Sequence, residues 1–540
     1  MCKKIIMLLL AWFWLGISPA FGAPISRTFN LQSGWNAIFL DIEPDDPDPA
    51  AVFAGISPQL VSVWKWNANS GTVEFIQNPE ELQAPDPLYL TYLPGNVILS
   101  NLNTINGNSA YLIKTSAECI LNVNGEPLMP QLEWKPNSFN LIGFHLRSGY
   151  ETTFDSFFGP YPEFQLATGE MTDIYVLDSN GQWQKAAATD LLVQGESFWI
   201  YCRGSSQYTG TVRIQVEQGM QLDFGELLST QDIVITNFSD VPQSVTLHSS
   251  SSVVPLYYQL PPTGDDFFTW NSFATDYTSP EIASGASQRL RLGVKRFELA
   301  AGGNYETNLE LLGSTSSKGS EVTIPVSVTG VDFGGLWVGD VTLNKVNEIH
   351  NVAGGDAAFP QKTGSEFSFR IILHNDGGTI RILNRVVEIW SDSRNEFVLV
   401  SENDYLSETH PVGRRISAPA FGNFSGGDGS QFMAATGAGF GVEGSTLSTT
   451  IELAADDSLN PFVHRYNHDH ATANDYNISR SLTLTFGGGE DGSNDFIGWD
   501  STEVGGIYEE SLTGLTRQTI NVKGTFRLRK ISAVKTLNGD

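Results

Sequence analysis

Apolar and polar residues alternate in short runs along most of this chain, and Gly, Asn, Asp and Pro separate the runs, a pattern that predicts strands rather than helices. Three landmarks recur in order within the first two hundred residues. Residues 31–40 and 135–144 are apolar runs that each follow a small polar turn. Residues 61–66 with the turn 67–71 match residues 174–177 with the turn 178–181 and Trp183, each reading as strand, tight Asn/Asp-Gly turn and strand. Residues 107–113 match 195–200, and an alternating strand follows each, 120–123 and 212–216. The order and chemistry agree although the spacings differ, so residues 23–130 and 131–218 are expected to be two copies of one small β module.

These copies resemble a module common in secreted and surface proteins of bacteria, whose repeats open on a Gly-Trp-Asn-Leu-Ile-Ser type strand and close on a Gly-x-x-Tyr-Trp-Ile type strand. The first copy keeps Gly34, Trp35, Asn36 and Ile38, with Tyr111 in the closing strand. The second keeps Asn140, Leu141 and Ile142 with Phe198, Trp199 and Ile200, and has Phe139 where the Trp would stand. The resemblance covers residues 26–218 and implies an exported, modular protein without an activity general to the family. Core burial is the expected role of the aromatic residues.

Residues 219–330 carry further alternating runs, at 222–225, 232–238, 244–248, 288–294, 305–312 and 322–328, as expected of a β-sandwich. A Phe-Gly lead-in, an Ile-x-Ile-x-Asn strand and a closing Ile-Pro-Val-x-Val strand are similar to bacterial immunoglobulin-like modules, which implies a spacer or adhesion unit. Residues 331–540 open on Gly335-Leu-Trp-Val and contain a predicted hairpin, 367–374 and 379–386 about the turn 375–378. The last strand, near 520–529, places Val522, Phe526 and Leu528 on one face and Lys523, Arg527 and Arg529 on the other. The Gly-, Ser- and Asn-rich stretch 421–450 reads as a loop or broad insertion. This region looks like a C-terminal domain of large secreted bacterial proteins. The expected fold class is therefore all-β, with several sandwich or barrel-like modules in tandem.

Export is the first functional consequence. Lys3 and Lys4 precede the apolar stretch 5–17, and Ser18-Pro-Ala-Phe-Gly-Ala23 follows, with the order of a secretory leader that is cut after Gly22. No other segment is apolar enough for a membrane-spanning helix. Asp+Glu 60 against Lys+Arg 31 give a net charge of −29. Losing Lys3 and Lys4 makes this 60 against 29, or −31. Such a surface repels nucleic acid. Only Cys119 and Cys202 follow the leader, which leaves one disulfide or two lone thiols and excludes a disulfide-stapled fold.

Candidate chemistry concentrates in the last region. His464, His468 and His470 lie within seven residues together with Asp469, a nitrogen and carboxylate set suited to zinc or another transition metal. Asp491, Asn494 and Asp495 form an oxygen-rich run of the kind calcium uses, as do the acids between Asp41 and Asp48. No His-Glu-x-x-His, Gly-x-Ser-x-Gly or phosphate-loop motif is present. Glu509 and Glu510 are strand neighbours and should face opposite sides, so they would not flank one glycosidic bond. The expectation is an exported adhesion or scaffold protein that binds a surface protein or glycan, with residues 331–540 as the contacting unit. The competing expectation is a secreted hydrolase with a metal site in that region.

Overall fold

The computed structural model describes residues 22–538 apart from 68–87, 148–150, 160, 167, 262–268, 314–319, 348–359, 392–394, 402–412, 420, 423, 425–428, 462–475, 489–501 and 517. It is all-β. The first unit contains β1 (Ile25–Leu31), β2 (Gly34–Leu40), β3 (Ile42–Pro44), the one-turn helix α1 (Pro49–Val52), β4 (Leu60–Trp66), β5 (Tyr89–Tyr92), β6 (Ser109–Thr115) and β7 (Cys119–Pro127). A sheet of order β1-β7-β3 packs on one of order β2-β6-β4-β5. Side-chain alternation aims Ile38, Val63, Tyr111 and Ile113 into the space between them, where they meet Phe29, Leu31 and Leu121.

The second unit contains β8 (Ser138–Ile142), β9 (Thr152–Thr153), α2 (Phe154–Phe158), β10 (Ile174–Leu177), β11 (Trp183–Lys185), β12 (Leu191–Leu192) and β13 (Phe198–Cys202). Its larger sheet runs β8-β13-β10-β11, so in both units the opening strand pairs with the closing strand and the two middle strands lie beyond it. The same side-chain device precedes each opening strand. Asn36 Oδ1 accepts from the Gln32 N–H at 2.8 Å while its Nδ2 donates to the Gln32 carbonyl at 2.9 Å. Asn140 does the same to Lys135, at 2.7 and 3.1 Å. The Asn therefore closes a turn that the backbone alone leaves unpaired. The core here is aromatic, with Phe144, Phe154, Phe157, Phe158, Phe164 and Phe198 all buried.

The third unit is a sandwich. β14 (Val212–Val216) is followed by β15 (Leu222–Asp223), β16 (Thr230–Asn237), β17 (Val245–Ser249), β18 (Leu256–Leu260), β19 (Thr269–Ser272), β20 (Tyr277–Thr278), β21 (Ser287–Val294), β22 (Asn304–Gly313) and β23 (Glu321–Thr329). One five-stranded sheet runs β14-β16-β21-β18-β19 and the other β15-β23-β22-β17-β20. β14 follows the second unit's closing strand as β7 follows the first unit's, yet it pairs with β16, so the second unit lends a strand to the third.

The last unit contains β24 (Gly335–Val346), β25 (Gln361–Asn375), β26 (Ile380–Leu383), β27 (Arg385–Ser391), β28 (Glu396–Val400), β29 (Gly413–Ser417), β30 (Ser430–Thr436), β31 (Thr446–Leu453), β32 (Ile478–Phe486), β33 (Glu503–Thr513) and β34 (Ile520–Ser532). Eight of these, all but β27 to β29, close into a barrel. β27 to β29 form a separate sheet against its outside, where Leu336, Ile372, Leu383, Val386 and Leu399 are buried together. Trp337, Leu373, Leu447, Leu484, Phe526 and Leu528 fill the interior, as a barrel of this size requires. Asp340, Arg370, Glu452, Glu509, Arg527 and Arg529 face outward and are exposed. An apolar interior with a charged exterior is the inverse of what lipid demands of a barrel. Among the described residues no helix is long and apolar enough to cross a membrane.

Two expectations are corrected. The stretch 421–450 is not a loop throughout: it supplies β30 and the start of β31, and four of its eight glycines, Gly437, Gly439, Gly441 and Gly444, lie in the turn between them with positive φ. The motif aromatics also divide. Tyr111 and Phe198 are core, but Trp199 points out of its sheet and meets Trp66 edge to face at 5.4 Å.

Candidate functional site

The units are joined along that aromatic contact. Phe39, Ala110 and Leu141 are buried between the first two sheets, with Trp66, Leu112, Trp183 and Trp199 packed around them. The Phe39 N–H donates to the Gly195 carbonyl at 2.8 Å, and the Ser197 N–H to the Ala37 carbonyl at 3.2 Å. The segment 195–197 thus extends the free edge of β2 for a short distance. Beyond it the two units separate and leave a cleft of about 390 Å³, within the range of small-ligand sites.

Residues of β1 and β2 form one wall of the cleft, and residues 176–179 and 193–197 of the second unit form the other. Three side chains, those of Trp35, Glu196 and Asp178, define its chemistry. Trp35 stands with one ring face near Lys114 Nζ, at 5.4 Å from the centroid, and its edge against Trp64. Glu196 is partly buried with no ion-pair partner among the described residues, and desolvation holds its pKa above the usual carboxylate range. Ser197 also lines the cleft, but its hydroxyl is buried away from the opening, with no hydrogen-bond partner among the described residues. Asp178 accepts from the N–H groups of Gln182 and Asn180, and the Gln182 bond foremost draws its pKa down. Among the described residues no Lys or Arg lines the cleft. Such a wall accepts hydrogen bonds from hydroxyl or ammonium groups, offers an indole surface, and repels anions.

A second polar cluster lies inside the barrel. Arg480 on β32 donates through Nε to Glu510 Oε1 at 2.6 Å, and the Tyr508 hydroxyl donates to Glu510 Oε2 at 2.8 Å. The Glu510 side chain is only 4% exposed. Arg480 also donates to the Phe421 carbonyl at 3.2 Å and lies 5.2 Å from that ring's centroid. Burial first, then the Glu510 charge, raises the Tyr508 pKa well above its ordinary value. Each member is satisfied by another, so the cluster serves to order the barrel interior. Glu509, one residue away, is exposed and pairs with Lys523, so the two glutamates do face opposite sides.

His464, His468, Asp469 and His470 lie outside the described residues, as do Asp491, Asn494 and Asp495. The acids of 41–48 are described, and three of them hold local structure. Asp41 is bidentate to Arg27 at 2.9 Å, Asp46 accepts from the Asp48 N–H, and Asp48 caps α1 by accepting from Ala50 N–H. Among the described residues no group of three or more His, Cys, Asp or Glu side chains is arranged to hold a metal ion. Cys119 and Cys202 are free thiols. The cleft was not foreseen from sequence: Glu196 and Ser197 sit within the closing-strand motif, whose visible signal is its aromatics.

No family model matches the chain, and no curated protein does. Among solved structures, the E. coli chaperone DraB aligns at 13% identity over 34% of this chain and 92% of that one, with a TM-score of 0.16. A protein of unknown function from Bacteroides ovatus aligns at 8% identity over 60% and 96%, also at 0.16. E. coli alpha-2-macroglobulin aligns at 10% identity over 92% and 37%, at 0.12. Scores this low carry no argument about this chain, whose class rests on its own architecture: an all-β protein of successive modules ending in a closed barrel.

Proposed function

We infer that the chain is an exported adhesion or scaffold protein that holds a glycan of a cell surface in the cleft between its first two units. The observation that carries this reading is the cleft wall, where the partly buried carboxyl of Glu196, with no ion-pair partner among the described residues, stands beside the Trp35 indole. Sugar hydroxyls supply the donors that such a carboxylate accepts from, and the C–H face of a pyranose ring suits an aromatic surface. The lack of basic residues in the wall disfavours phosphate or sulfate groups. The order of the leader residues supports export, and the paired Asn turns with matching strand orders support a duplicated module of surface proteins.

The test is binding of the full mature chain to arrayed glycans, alongside Trp35→Ala and Glu196→Gln. Loss of an aromatic contact and of a hydrogen bond to a charged acceptor is each expected to weaken binding roughly tenfold or more, at about 1.5–3 kcal/mol for the charged bond. Retained affinity in both variants would remove the cleft from the account. The double variant His464→Ala, His470→Ala is expected to bind as the parent does.

A further inference from the structure

The outer face of the third unit's β22–β23 pair is covered by the first unit, and the beginning of the described chain lies against it. Asn308, paired with Pro325 across those strands, donates through Nδ2 to the Ala23 carbonyl at 2.8 Å. Asn308 is buried at 2% exposure, and its Oδ1 has no hydrogen-bond partner among the described residues. Gly22 passes so close that a Cβ placed on it would lie 2.2 Å from that oxygen and 2.8 Å from Pro325 Cα and Cβ. An acceptor is therefore orphaned beside Gly22, the residue bonded to the Ala23 nitrogen, at a point where that glycine has no room for a side chain.

The surrounding charge points the same way. Ile25 pairs with Gly125, so the chain before it runs beside Glu126. Glu126 of the first unit and Glu306 of the third face this junction together with Glu43 and Asp45. Burial foremost, then Glu306, Asp45 and Glu43, pushes the Glu126 pKa up to about 7. Neither Glu126 nor Glu306 has an ion-pair partner among the described residues. Arg27 is committed to Asp41 at 2.8 Å and to Glu321 at 3.7 Å. The junction is short of one cation and one donor.

We propose that the α-ammonium of Ala23, created when the leader is removed, is a structural group that docks on Asn308 Oδ1 beside Glu126 and Glu306 and fastens the first unit to the third. This rests on the export reading above. The step is a hydrolysis by a leader peptidase: one water adds across the Gly22–Ala23 bond, Gly22 leaves as a carboxylate, and Ala23 keeps the nitrogen, which takes up a proton. The ammonium then fills the space that Gly22 occupies in the uncut chain.

The test uses chain 23–540 released from a tag that leaves no extra residue, beside the same chain with Gly22 retained. Each is treated with a limiting acylating reagent at pH 7, and N-terminal labelling is read by mass spectrometry in native buffer and in urea. The Ala23 amine is expected to react about tenfold more slowly in the native chain, which corresponds to a protection of about 1.4 kcal/mol. The Gly22-retaining chain and Asn308→Leu should lose the protection, while Asn308→Asp, which keeps the acceptor, should keep it. Equal native and unfolded rates for the Ala23 chain, or protection that survives both the added glycine and Asn308→Leu, would overturn the proposal. The N-terminus of protein recovered outside producing cells separates the two readings: a start other than Ala23 refutes cleavage at this bond, whereas the labelling rates report docking directly.

Discussion

Replacing Arg480 by Met keeps the aliphatic stem and deletes the guanidinium that faces Glu510 inside the barrel. Among the described residues the Glu510 carboxylate then retains only the Tyr508 hydroxyl, at 2.8 Å, at a site where its side chain is 4% exposed. Removing one partner of a buried pair costs about 3–5 kcal/mol, because the remaining charge is left without compensation. The lost bond to the Phe421 carbonyl and the lost contact with its ring act in the same direction. At about 2–4 °C per kcal/mol for a domain of this size, the barrel transition should fall by roughly 6–20 °C. Differential scanning calorimetry of the full chain at pH 7 measures this. The double variant Arg480→Met, Glu510→Leu should recover much of the loss, since replacing both members by apolar groups removes the uncompensated charge. A single variant that melts with the parent, or a double variant less stable than the sum of the singles, would refute the reasoning.

Three further outcomes follow from the junctions. His145 is fully buried, bonded through Nε2 to Asn108 Oδ1 at 2.6 Å, and burial lowers its pKa to about 4. Its folded pKa lies below the unfolded value of about 6.5, so the unfolded chain takes the proton first; stability is intact above about pH 6.5 and falls by roughly 3 kcal/mol as pH drops towards 4. His145→Gln should flatten that part of the pH–stability profile, and an unchanged acid slope would assign it to other groups. Asn36→Ala and Asn140→Ala each free a turn N–H and are expected to cost about 1–3 kcal/mol in urea titrations; a neutral result at both positions would deny the turn its role. Trp199→Ala removes the edge-to-face contact with Trp66, worth about 0.5–1.5 kcal/mol beyond its burial, and should speed proteolysis between the first two units.

The strand pattern was legible because alternation and turn residues report a half-buried strand directly. The hairpin about Asn375–Gly378 appears with Asn375 opposite Ile380, and Phe526 and Leu528 point inward while Arg527 and Arg529 point outward. The barrel strands β30 and β31 were hidden because Ser430–Thr436 and Thr446–Leu453 are rich in Ser, Thr and Ala, which reads as loop, whereas pairing with β26 and β32 supplies the order that local composition lacks. β18 to β20 were missed for a similar reason, being short and separated by polar segments. The outward role of Trp199 could not be read either: an apolar face that packs on a neighbouring module has the same periodicity as one that packs on its own core. The cleft depends on where two modules meet, which no local pattern encodes.

Binding without turnover is what the proposed function requires of this protein. The direct measurement is to load the mature chain onto arrayed surface glycans, hold it there for hours, and recover both the retained protein and the ligand for mass analysis. Retention that depends on Trp35 and Glu196 is expected, with the ligand recovered at its starting mass. Ligand recovered in shortened form, with the shortening lost in the His464→Ala, His470→Ala variant, would contradict it and establish a hydrolase.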